Sequence, residues 1–123
     1  MNKTTSILLA TVLVIGMGFM FLKQPTESVE NVEIRDGIQY ITVTAQGGYS
    51  PRLSSAQANI PTKLIVETNG TYDCSAALVI EAVDYQEILP SSGEEVIDLG
   101  TPAPGTLQGL CSMGMYSFTI NFN

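Results

Sequence analysis

The chain has 123 residues, 45% of them hydrophobic and 14% charged, with five basic residues against twelve acids, no histidine, and a net charge of −7. That length allows one small domain plus an appendage. The acidic balance excludes a surface built to hold nucleic acid or an anionic lipid face, and favours cations and basic protein partners.

Ser6 to Leu22 runs 17 residues without a charge, between Lys3 and Lys23. A bilayer-spanning helix takes about 17–25 predominantly apolar residues, so residues 1–23 are expected to form a single transmembrane anchor. A cleaved signal peptide is the rival reading. Against it, the run is longer than the apolar core of such a signal, and Phe19-Met20-Phe21-Leu22-Lys23 offers no small-residue cleavage site. No cysteine ends the run, which argues against a lipoprotein signal. The flanking charges, Lys3 on one side and Lys23 with Arg35 on the other, are close to a tie and do not orient the anchor. Residues 24–34 are polar at their start, contain Pro25, and are expected to tether a domain over residues 35–123 close to the membrane.

Beyond residue 24 no sustained 3.6-residue apolar period appears. Short β-branched segments separated by turn residues take its place: Ile38–Ala45, Thr62–Thr68, Ala76–Ala82, Glu95–Leu99 and Tyr116–Phe122. Strands this short imply an antiparallel sandwich or barrel. The last segment alternates, with Tyr116, Phe118, Ile120 and Phe122 on one face and Ser117, Thr119 and Asn121 on the other. Continued backwards, that parity points Cys111, Met113 and Met115 away from the core face. They are therefore expected at a loop or strand end.

Of the five methionines, Met1, Met17 and Met20 lie in the first 23 residues. The other two, Met113 and Met115, stand within four residues of Cys111, and the second cysteine is Cys74. Two thiols and two thioethers form a donor set for a soft monovalent metal, and such ligands select cuprous copper. Zinc is poorly served by neutral thioethers, iron–sulfur clusters want four cysteines, and a blue-copper site needs two histidines. The competing reading is structural: two cysteines in an exported domain pair as a disulfide, and methionine fills cores. Packing alone does not account for both methionines lying beside one cysteine. Elsewhere there is no glycine-rich phosphate loop, no C-x-x-C motif, and no histidine for a Ser-His-Asp or Cys-His pair. Glu94-Glu95 reads as a solvated turn beside a strand. No catalytic residue and no enzymatic activity are expected.

Gly48-Tyr49-Ser50-Pro51, Asn59-Ile60-Pro61-Thr62-Lys63-Leu64-Ile65-Val66, Asp73-Cys74-Ser75-Ala76-Ala77-Leu78-Val79-Ile80, Leu89-Pro90-Ser91-Ser92-Gly93 and Cys111-Ser112-Met113-Gly114-Met115-Tyr116 follow one another in this order. The arrangement, over residues 38–123, resembles the bacterial cupredoxin-like Cu(I)-binding domains, and most of all the membrane-anchored copper chaperones of streptococci. The resemblance implies an all-β, cupredoxin-like Greek-key β-sandwich preceded by a single N-terminal transmembrane helix. It implies a binuclear Cu(I) site built by Cys74, Cys111, Met113 and Met115. It also implies delivery to a copper-exporting P-type ATPase in the same membrane, at that pump's metal-binding domain or membrane entry site. Such a carrier works where thiols stay reduced, so a single-pass membrane protein with its domain on the cytoplasmic face is expected. The rival expectation is an extracytoplasmic binding or adhesion module with a Cys74–Cys111 disulfide and no metal.

Overall fold

The computed structural model describes residues 31–123; the anchor expected over residues 1–23 and most of the tether lie outside them. Ten strands follow in chain order: β1 Val32–Arg35, β2 Ile38–Ala45, β3 Tyr49–Ser50, β4 Leu53–Ala56, β5 Thr62–Thr68, β6 Ala77–Ile80, β7 Tyr85–Ile88, β8 Gly93–Gly100, β9 Gly105–Cys111 and β10 Ser117–Phe122. Two one-turn 3-10 segments, Cys74–Ala76 and Glu81–Val83, flank β6. Among the described residues there is no α-helix, and no helix is long and apolar enough to cross a membrane. β1 begins at Val32, three residues before the domain start expected at residue 35.

The strands form two sheets packed face to face. One has the order β1-β2-β5-β8, with β3 on the end of β2; the other has the order β4-β10-β9-β6-β7. Strand residues alternate between the core and the surface as the pleat requires. In β2 the odd-numbered residues are buried, and in β5 and β10 the even-numbered ones are. Ile41, Val43, Leu64, Val66 and Ile97 from the first sheet thus meet Leu78, Ile80, Leu107, Phe118 and Ile120 from the second. The all-β sandwich architecture matches the fold class expected from the sequence for the domain.

The pairing departs from an all-antiparallel expectation at two places. β2 pairs with β5 in parallel, and β4 pairs with β10 in parallel. The segment between β2 and β5 explains both. After Ala45 the chain leaves the first sheet through β3, passes a cis Ser50–Pro51 bond, and lends β4 to the second sheet. It then returns beside the start of β2, where Gln39 N–H donates to the Pro61 carbonyl at 2.8 Å. A crossover of this kind delivers the next strand in the same direction. The buried Gln39 side chain secures the return: its amide donates to the Gln57 carbonyl and Thr62 Oγ1, and its oxygen accepts the Gln57 N–H.

Candidate metal centre

Cys111 is the last residue of β9, and Ser112 to Met115 form the turn into β10. Gly114, at φ +73, supplies the left-handed turn position and donates its N–H to the Cys111 carbonyl at 2.8 Å. The turn closes where Cys111 N–H meets the Tyr116 carbonyl at 3.0 Å. Ser112 N–H donates across to the Ala77 carbonyl at 2.9 Å, so this end of β9 is fastened to the start of β6.

That fastening brings Cys74 in. Cys74 opens the 3-10 turn immediately before β6, and β6 pairs with β9 with Leu78 opposite Cys111. The two cysteine Cα atoms are 5.8 Å apart, and the side chains are joined as a disulfide. The spacing lies inside the usual disulfide window of about 4.4–6.8 Å. Cys111 is completely buried and Cys74 half-buried.

The parity expected for Cys111 is corrected here. It does not continue β10, because the turn resets the alternation. It belongs to β9, where Leu107, Gly109 and Cys111 face inward. Met113 and Met115 do sit off the core: they are 74% and 64% exposed on the turn itself. A free-standing thioether this exposed contributes little to packing. The four candidate ligands therefore comprise two paired cysteines at the sheet end and two solvent-facing methionines on the turn that Cys111 enters. Among the described residues no three His, Cys, Asp or Glu side chains gather as a metal group. An ion held here by more than the two cysteines draws on methionine sulfur, which suits a soft cation.

The residues around Cys74 are joined by hydrogen bonds. Asp73 precedes Cys74 and accepts the Ser75 hydroxyl at 2.6 Å. Tyr49, buried at the start of β3, donates its hydroxyl to the Ser75 carbonyl at 3.0 Å. Burial, and then the Asp73 charge, push the Tyr49 phenol up to about 12, so it stays a neutral donor at ordinary pH. A groove of about 470 Å³ opens beside Met115, with Gly48, Tyr49, Arg52 and Tyr116 among its walls. Composition and spacing give Tyr49, Asp73 and Ser75 no role. The only signal is their membership of the Gly48–Pro51 and Asp73–Ile80 stretches.

A cupredoxin-like domain model matches residues 11–120. Among solved structures, the chain resembles the metal-binding domain of CopA, the Cu(I)-exporting P-type ATPase of Streptococcus pneumoniae D39, determined with Cu(I). The TM-score is 0.66 at 22% identity, over 75% of this chain and 92% of that one. It also resembles a copper-binding protein solved by NMR in the apo form, with TM-score 0.68 and 22% identity over 75% of this chain and 94% of the other. No curated protein sequence matches the chain. At this level of identity the solved structures establish the shared fold.

Proposed function

The chain belongs to the cupredoxin-like domain family, and we propose that it serves there as a carrier of Cu(I) rather than of electrons. In this reading it is a membrane-anchored chaperone or sequestering protein of copper resistance, akin to the streptococcal copper chaperones, and performs no catalysis. The observation that carries the reading is the distribution of sulfur at one end of the sandwich. Cys74 and Cys111 stand within bonding distance of each other, and both methionines of the domain are exposed on the adjoining turn.

Each donor then has a role that follows from its charge. In the reduced protein the Cys74 and Cys111 thiolates hold a first Cu(I) ion. The neutral Met113 and Met115 thioethers complete the shell and hold a second ion more weakly, facing solvent, where transfer takes place. The fold shared with the metal-binding domain of a Cu(I)-exporting ATPase supports a copper-exporting P-type ATPase as recipient. The acidic surface favours docking on a basic patch, and confinement of both proteins to one membrane raises their encounter rate. The domain faces the cytoplasm, where thiols are kept reduced.

Anaerobic titration of the reduced protein against a Cu(I) chelator tests the reading. The expected result is removal of up to two Cu(I) ions from the chelator and weak binding of zinc. Failure to compete for copper sinks it. The disulfide favours a second reading, in which the domain is an extracytoplasmic module stapled by Cys74–Cys111 and binds no metal. Thiol titration of protein isolated without reductant separates the two. An unreactive pair, together with stability indifferent to Cu(I) after reduction, selects the second.

A further inference from the structure

We propose that Tyr49 is a positioning residue for the sulfur site, pinning the Cys74 turn of the second sheet to the first. The inference rests on the assignment of Cys74 and Cys111 as Cu(I) ligands for its consequence, and on geometry alone for its cause.

The Cys74–Ala76 segment is a single 3-10 turn, and Asp73, the residue that precedes it, makes no side-chain cap. Segments this short do not hold their own position; tertiary contacts place them. On one side Leu89 N–H donates to the Ala76 carbonyl at 2.7 Å, within the same sheet system as β6. On the other, the contact is the Tyr49 hydroxyl on the Ser75 carbonyl, a buried bond spanning 26 residues of chain and crossing from one sheet to the other. Ser75 is fully buried and adjoins Cys74.

Tyr49 also reaches the other half of the site. Its ring stands edge-on to Phe118, with centroids 5.1 Å apart. Phe118 lies opposite Gly109, two residues before Cys111. The preceding residue, Gly48, lies against the Tyr116 ring, 3.4 Å from where a Cβ would stand, and Tyr116 follows Met115. The Gly48–Tyr49 step thus touches Ser75 and Tyr116, the chain neighbours of Cys74 and Met115, and through Phe118 it meets the strand paired with the one that ends at Cys111. Its hydroxyl is the part that acts on Cys74 by a directional bond, and Tyr49→Phe removes that part while keeping the ring.

The test compares full-length Tyr49→Phe with Thr62→Val. Thr62 is likewise buried, donates its hydroxyl to the Ile60 carbonyl at 3.0 Å, and begins β5 at the end opposite the Asn69–Thr71 loop that leads to the site. Two quantities are read. The first is the equilibrium for closing Cys74–Cys111 in a buffer of a small thiol and its disulfide. There the two protein thiols give two electrons and two protons to the small disulfide, which leaves as two thiols. The second is Cu(I) affinity against a chelator. Loss of one buried hydrogen bond at the turn should lower both by about three- to tenfold in Tyr49→Phe. Thr62→Val should lower the unfolding midpoint and leave both unchanged. The proposal is overturned if Tyr49→Phe closes the disulfide as readily as the wild type, or if Thr62→Val shifts closure equally. It is also overturned if a wild type that binds Cu(I) keeps its affinity in Tyr49→Phe. A wild type that takes up no Cu(I) would remove the copper reading instead, and the closure equilibrium would still decide the role of Tyr49.

Discussion

Opening the Cys74–Cys111 disulfide should destabilise the protein by an amount that Cu(I) then restores. The bond joins residues 37 positions apart. In the chain-entropy model a loop of that length restricts the unfolded state by roughly 4 kcal/mol at 25 °C. For a domain of this size that corresponds to roughly 15–30 °C in the unfolding midpoint. Cu(I) that binds only the folded, reduced protein returns about 4 kcal/mol when free copper stands a thousandfold above its dissociation constant, less whatever affinity the unfolded thiols retain. The assay is anaerobic denaturant unfolding of the purified protein, followed by circular dichroism, in three states: oxidised, reduced with a phosphine, and reduced with chelator-buffered Cu(I). The oxidised and copper-loaded forms should unfold at similar denaturant, well above the reduced metal-free form. A reduced form as stable as the oxidised one refutes the constraint assigned to the disulfide. A reduced form that copper leaves unmoved refutes the metal site.

Cys111→Ser should weaken Cu(I) binding at least about tenfold more than Met115→Leu, because it removes a charged ligand rather than a neutral one. Chelator competition measures both, and equal small losses would overturn the ligand assignment. Gly109→Ala should cost about 1–3 kcal/mol by overpacking, because the added methyl would run into the buried Phe118 ring. Phe118→Leu in the same chain should recover part of that loss, and a neutral Gly109→Ala would show that the ring can move aside. Alkaline unfolding of the oxidised protein should reveal Tyr49. Its folded-state value of about 12 exceeds the ordinary 10, so its contribution is complete below pH 10 and is lost as pH rises from 10 to 12. Denaturant midpoints across that range should fall less steeply in Tyr49→Phe; identical slopes would contradict the assignment.

Local pattern accounts well for the strands that carry their own hydrophobic alternation. Ile38–Ala45 and Thr62–Thr68 are strands over the bounds their β-branched runs suggest. β9 carries little hydrophobic alternation of its own, for a physical reason. Of its inward positions Leu107 alone is a large aliphatic residue, because Gly109 leaves its space to Phe118 from the neighbouring strand. The apolar signal for that part of β9 is therefore written into β10. β4 is hidden in the same way: Ser54 and Ala56 face inward with little hydrophobic contrast to their neighbours.

The sequence alone determined the kind of chemistry open to this protein. Without histidine, and with its soft donors confined to Cys74, Cys111, Met113 and Met115, the domain offers its sulfur either as a soft-cation donor set or as a disulfide. Side-chain type is a local property and needs no fold to be read. Tertiary structure decided how those sulfurs are deployed. Pairing of β6 with β9 set Cys74 against Cys111, and the turn at Gly114 left both methionines outside. Which way Cys111 points depended on the strand that owned it, since side-chain parity holds only within one continuous strand. That membership is fixed by pairings between segments distant in the chain.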